Sequence, residues 1–171
     1  GVEVTIIEQA PSMDLFMRGG LDAVSAMWYN EYHTLMSYGL EEKDMVAFFF
    51  RDLDLNFPED GLYCLRGTYE RDPATARAVA RATLDGWVYA FAHPEETLDV
   101  VIRRMKEHRV KANRAHQRWM LARMQDIVLA GEKPSLVLNR ADFERTAAIL
   151  REQGFAPDPP DYEDFVMEPE Q

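Results

Sequence analysis

Seven consecutive residues carry most of the chemistry this sequence offers: Met27-Trp28-Tyr29-Asn30-Glu31-Tyr32-His33. Trp28 or Tyr29 can stack on a flat ring, while Asn30 and Glu31 can hydrogen-bond its polar edge. A carboxylate only accepts hydrogen bonds, so Glu31 would favour a ring that carries amino donors. A second reading stays open at this point, in which the aromatics simply pack a helix onto the layer beneath it. Ser12 is a further candidate, because the helix start behind it would offer backbone N–H groups to a ligand.

Other chemistries can be tested against the sequence and set aside. Gly19-Gly20 is an isolated pair, and no glycine-rich phosphate loop follows a strand. The histidines His33, His93, His108 and His116 fall on different segments without metal-ligand spacing, and read as surface or capping residues. Asp52-Leu53-Asp54-Leu55-Asn56 imitates the start of a calcium loop, but Phe57 and Tyr63 stand where Gly and Glu are needed. Neither Ser12 nor Ser25 has the glycines of a nucleophile elbow or a histidine nearby. No cofactor and no metal is expected, and no catalysis.

Composition narrows the partners. The 171 residues suffice for one compact domain with a core, and 47 % are apolar, as in a globular chain. A formal net charge of −11 argues against a nucleic-acid partner. The basic run from Arg103 to Arg123 meets only Glu107 and reads as a solvated helical face. Cys64 is the single cysteine, so no internal disulfide can form. No apolar run reaches the length of a membrane span. The chain opens on Gly1 with no signal peptide, which suggests a processed product or a fragment.

The elements that must position the aromatic stretch are expected to alternate at first. Val2, Val4, Ile6 and Ile7 read as a strand, as do Ala23 to Met27, Met45 to Phe50 and Gly61 to Leu65. Short helices behind Ser12 and from Trp28 to Tyr38 lie between them, ending at Gly19-Gly20 and at Gly39. Strands separated by single helices predict an α/β fold with a small, mainly parallel sheet flanked by helices. The second half is expected to be helical. Asp72-Pro73 opens one helix, His93-Pro94 a second, Asn113 caps a third that ends at Gly131, and Arg140 to Gln153 is a fourth stopped by Gly154. The division expected is a lobe over residues 1–156, with a βαβ part at 1–66 and a helical part at 67–156. A Pro-rich acidic arm at 157–171 lies on the surface.

Residues 19–32, Gly-Gly-Leu-Asp-Ala-Val-Ser-Ala-Met-Trp-Tyr-Asn-Glu-Tyr, carry a resemblance to a known family. So do Phe57-Pro58-Glu59-Asp60-Gly61-Leu62-Tyr63 and the helix pair running from Asp72-Pro73 through Gly86-Trp87-Val88-Tyr89-Ala90 to Pro94-Glu95-Glu96. Gln117-Arg118-Trp119-Met120 and Phe143 to Phe155 add to it. Together they resemble the NMT/THI-like, thiamine-pyrimidine-precursor family of solute-binding proteins, in its second lobe and C-terminal region. The resemblance implies a type II periplasmic-binding-protein-like lobe that closes on an aminopyrimidine, a flavin-like ring or a related small molecule. It implies Trp28, Tyr29, Asn30 and Glu31 along the cleft, with Asn56 or Asp60 bordering it near the hinge. It also implies delivery to an ABC permease, a periplasmic or extracytoplasmic location, and a first lobe that this chain lacks. The family's enzymatic branch relies on a cysteine-rich iron motif, for which Cys64 alone is not enough.

Two other roles remain to be weighed beside transport. One is the ligand-sensing domain of a signalling protein, in which closure is read as a signal. The other is an interaction scaffold, favoured if Trp28 and Tyr29 are fully enclosed. A lone lobe would expose apolar surface, so a homodimer is a further expectation.

Overall fold

Helix-forming signals in the second half of the sequence translate directly into structure. The computed structural model describes residues 2–10, 12–129 and 137–167. Its α-helices are α1 Asp14–Met17, α2 Glu31–Ser37, α3 Arg66–Arg71, α4 Pro73–Ala92, α5 Pro94–Glu107, α6 Arg114–Val128, α7 Arg140–Glu152 and α8 Tyr162–Phe165. Single 3-10 turns occupy Glu42–Asp44 and Phe50–Leu53.

Three of the four long helices, α4, α6 and α7, begin where a side chain satisfies one or two of the first backbone N–H groups, and α5 begins on a proline. Asp72 accepts from the Thr75 amide at 3.0 Å, and this bonding to Thr75 holds its carboxyl below the usual range. In α5, Pro94 takes the first position, Glu95 and Glu96 the first turn, and Arg104 and Lys106 the last turn, which suits the helix dipole at both ends. Asn113 caps α6 by accepting from Ala115 and His116, and Asn139 caps α7 by accepting from Asp142. Gly154 follows α7 at φ +75°, a left-handed conformation that glycine adopts without steric cost. The expected stop at Gly131, Pro11 and the last residues of the expected arm (168–171) lie outside the described residues.

The expected α/β lobe with a parallel sheet is not what the chain forms. More than half of it is helical, and no strand occurs among the described residues. Residues 2–10 run without regular structure and leave Val2 91 % and Ile6 93 % exposed. Val46, Phe48, Leu62, Tyr63 and Leu65, from two other expected strands, are exposed as well. A β-branched run favours a strand mainly because it packs on neighbouring strands and its backbone bonds to theirs. At Ser25, in the fourth, that role falls to one side chain. The Gln9 carboxamide donates to the Ser25 carbonyl at 2.9 Å and accepts from its amide at 3.1 Å, doing for one residue what a neighbouring strand does for many.

The chain divides into two compact units, residues 1–47 with 90–130, and residues 48–89 with 131–171. In the first, α2 and α5 each pack against α6. Met13, Leu35 and Leu98 form its buried centre. Leu98 is 1 % exposed, and burying it contributes about 2 kcal/mol. In the second unit α8 packs on α7, and among its described residues Tyr162 is buried. No helix of the described residues is long and apolar enough to cross a membrane.

Candidate functional site

The aromatic stretch forms the turn into α2, and that turn is fixed by its own polar side chains. The Met27 carbonyl accepts from the Asn30 amide at 3.0 Å and from the Tyr32 amide at 3.1 Å. Glu31, in the first turn of α2, folds back so that one carboxylate oxygen accepts from the Met27 amide at 3.0 Å. Its other oxygen accepts from Asn30 Nδ2 at 2.8 Å. A carboxylate in this position also sits favourably at the positive end of the helix dipole. It retains further lone pairs, since two oxygens offer about four acceptor sites.

Helix α6 supplies the other wall. His116, Trp119 and Arg123 follow one another at i, i+3 and i+7, a spacing that puts them on one helical face. Trp119 Nε1 donates to the Trp28 carbonyl at 3.1 Å. The Trp119 ring lies 6.5 Å from Tyr32 and 5.0 Å from His33, centroid to centroid. The Arg123 guanidinium stands 4.9 Å from the centroids of both Trp28 and Trp119. Its Nε lies 3.1 Å from Asp126, at an angle that makes an ion pair and not a hydrogen bond. A cation shared by two indoles holds both rings in place.

Two histidines complete the cluster. His116 Nε2 is 2.9 Å from Asn30 Oδ1, and His116 Nδ1 is 3.0 Å from His33 Nδ1. Asn30 gives an N–H to the Glu31 carboxylate, so its oxygen must face His116, and His116 Nε2 must carry the proton. Neutral His116 then accepts at Nδ1, and His33 donates there. Ser37 Oγ, 3.4 Å from His33 Nδ1, donates to the His33 carbonyl at 2.9 Å. Burial, and then the neighbouring His116, pushes His33 below its ordinary value. Tyr32 is pushed up by burial and by Glu42.

Trp28, Tyr29, Asn30 and Glu31 are half-buried, and of these Trp28 and Asn30 bond to side chains of α6. Ser12 is exposed, and its hydroxyl accepts from the Asp14 amide at 3.1 Å within its own turn. Asn56 and Asp60 are exposed residues of an irregular stretch in the second unit. Most of the basic run is paired: Arg103 and Arg104 with Glu107, Arg114 with Glu95 and Asp99, and Arg118 with Glu95. Hydrogen bonds first from Arg114 and then from Arg118 hold the Glu95 carboxyl below its usual range. An open concavity of about 260 Å³ in this unit is lined elsewhere, by Phe91, Pro94 and Leu121 among others. Among the described residues, no group of three or more His, Cys, Asp or Glu side chains could hold a metal ion.

Sequence reasoning missed the partners on α6. His33 and His116 are 83 residues apart, and no local spacing joins them. The shared face of His116, Trp119 and Arg123 was the available signal, because an apolar helical face that also carries a cation and an imidazole has more than packing to do.

No curated protein and no solved structure matches the chain. A family model does, over residues 1–97, and the match includes all of 27–33. That is more than half of the 171 residues, so the chain belongs to the NMT1/THI5 like family, a family of solute-binding proteins.

Proposed function

We propose that the chain binds a small organic ring, an aminopyrimidine, a flavin-like ring or a close relative, against the start of α2. Trp28 and Tyr29 offer faces for stacking, Glu31 offers its remaining lone pairs to an amino group, and Asn30 orients Glu31. The observation that carries this reading is the family match across residues 27–33, where half-buried aromatics adjoin a hydrogen-bonded amide and carboxylate. Neither aromatic is enclosed in the core, which favours a binding role over that of a plain scaffold.

The biological setting follows from the same family. Its members are typically extracytoplasmic binding proteins, which supports a periplasmic location and an ABC permease as the next recipient of the ligand. A signalling module would use the same capture as an input. Binding rather than catalysis is the role proposed.

Calorimetric titration of the full-length protein with 4-aminopyrimidine and riboflavin tests the assignment. Trp28→Ala and Glu31→Gln should each weaken the binding of the preferred ring by about tenfold or more, the value of one stacking or charge-assisted contact. Unchanged affinity in both variants would remove the ligand from this segment.

A further inference from the structure

The polar chain from Glu31 through Asn30 and His116 to His33 has one consistent assignment of protons, and that has a consequence for the site. We propose that His116, on α6, is a positioning residue for the Asn30–Glu31 pair, held in its tautomer by His33, and that the pair is set only while at least one of the two imidazoles is neutral. This deepens the reading of residues 28–31 as the ligand-binding segment and rests on it.

Asn30 is the pivot of this chain, bonded to Glu31 on one side and His116 on the other. A carboxamide can turn over and exchange its donor and its acceptor, and only its neighbours decide which end faces where. Here the decision comes from both sides. The Glu31 carboxylate at 2.8 Å requires a donor, and the His116 Nε2–H at 2.9 Å requires an acceptor. Without His116 the Asn30 oxygen would lose this partner, and the amide could present either end to Glu31 or to a ligand.

His116 is constrained in turn. With Nε2 protonated, its Nδ1 is an acceptor only while the ring is neutral, and His33 Nδ1 stands 3.0 Å away to donate. The first added proton has a free site at His33 Nε2, where it leaves His33 donating from Nδ1 to neutral His116 and the direction of the bond unchanged. Adding a second proton gives two N–H groups and two positive charges facing each other across 3.0 Å. That contact cannot persist. The contact itself therefore opposes a second charge on the pair.

The surroundings do little to relieve that second charge. On α2 the nearby groups are Asn30, Glu31 and Ser37, and the Glu31 carboxylate already accepts from Met27 and Asn30. On α6 they are Trp119, whose ring lies 5.0 Å from that of His33, and Arg123, which stands over that indole, with no carboxylate among them. Glu42 acts on Tyr32, on the neighbouring 3-10 turn. The depressed affinity of His33 for a proton agrees in direction with this arrangement.

The test reads Asn30 without needing a ligand. In the isotopically labelled chain, the Asn30 side-chain amide and the histidine ring signals are followed by NMR between about pH 8 and pH 5, the range in which imidazoles titrate. The wild-type Asn30 amide should move together with the histidine ring signals as the contact between the two rings is lost at low pH. In His116→Gln, whose amide can still donate to Asn30, the signal should stay near its wild-type value at high pH and lose its pH dependence. In His116→Ala it should be displaced at every pH. A wild-type Asn30 amide indifferent to pH across this range, or one displaced equally in both variants, overturns the proposal.

Ligand titrations then separate the two layers. At about pH 8, His116→Ala should bind the ring about tenfold more weakly, whereas His116→Gln should stay within about threefold of wild type, the difference between losing and keeping one hydrogen bond. Should the NMR behaviour appear as described while neither 4-aminopyrimidine nor riboflavin binds, the positioning role stands and the ligand assignment falls. A ring that binds wild type, His116→Ala and His116→Gln alike at all these pH values counts against the positioning role instead.

Discussion

Both units of the molecule place an arginine over aromatic rings, yet the two clusters are built for different ends. In the second unit Arg140 lies 4.1 Å from the centroid of the Tyr162 ring and pairs with Glu163 and Glu144. Tyr162 is 8 % exposed, its hydroxyl donates to the Leu138 carbonyl at 2.6 Å, and its ring meets Phe143 edge-on. Every polar group named there has a partner within the cluster, and the result is a clasp that fastens α8 to α7. In the first unit Arg123 serves two indoles, and the surrounding polar atoms form a chain through Asn30, His116 and His33 that is half-buried and titratable. A cation on an aromatic ring is therefore no mark of a binding site. What distinguishes the first cluster is spare hydrogen-bonding capacity beside aromatics that are not enclosed.

The largest expected effect breaks the clasp. Tyr162→Ala should cost about 3 kcal/mol of stability, as removal of a buried aromatic does, whereas Tyr162→Phe should cost about 1 kcal/mol for the hydroxyl's hydrogen bond. Urea unfolding followed by circular dichroism measures both. A Tyr162→Ala loss below the Tyr162→Phe loss would mean that the ring is not the fastening element.

Acidification should sharpen the contrast. His33 has its proton affinity lowered by burial from an ordinary value of 6.5, so the unfolded chain takes up the proton first as pH falls. Stability from this group is fully present above about pH 6.5 and is lost as pH falls through the folded value. Glu163 in the second unit is also lowered, by Arg140, but from 4.5, so its contribution is lost only below about that pH and is small because the pair is exposed. Hydrogen exchange should show the Thr34 amide of α2 losing protection between about pH 6.5 and 5, while the Phe143 amide of α7 keeps its own. Parallel loss at both sites would erase the distinction.

Smaller effects belong to the frame around the site. Asn113→Ala removes the cap that starts α6 and should cost about 1 kcal/mol. Glu95→Gln, which loosens the exposed pairs with Arg114 and Arg118, should leave the melting temperature almost unchanged. A larger loss from Glu95→Gln than from Asn113→Ala would show that the ion pairs, and not the cap, hold the start of α6.

How far the sequence was legible follows from how local each signal is. Pro73, Pro94, Asn113 and Gly154 act within one turn of where they stand: the first three start α4, α5 and α6, and Gly154 follows the end of α7. Val2, Val4 and Ile6 were legible only as β-formers, a preference realised through neighbours; among the described residues Gln9 provides such a neighbour for Ser25 alone. Trp28, Asn30 and Glu31 could be picked out by type and order. The shared face of His116, Trp119 and Arg123 was legible too, but its meeting with α2 was not, because that is a product of tertiary packing.

The central claim is that the segment from Trp28 to Glu31 captures a small ring. Calorimetry of the full-length protein with 4-aminopyrimidine and riboflavin, in wild type and Trp28→Ala, tests it most directly. Saturable one-to-one binding of one ring, weakened about tenfold or more in Trp28→Ala with the melting temperature little changed, is the expected result. Equal affinity in the two proteins, or no binding of either ring to the wild type, would contradict it.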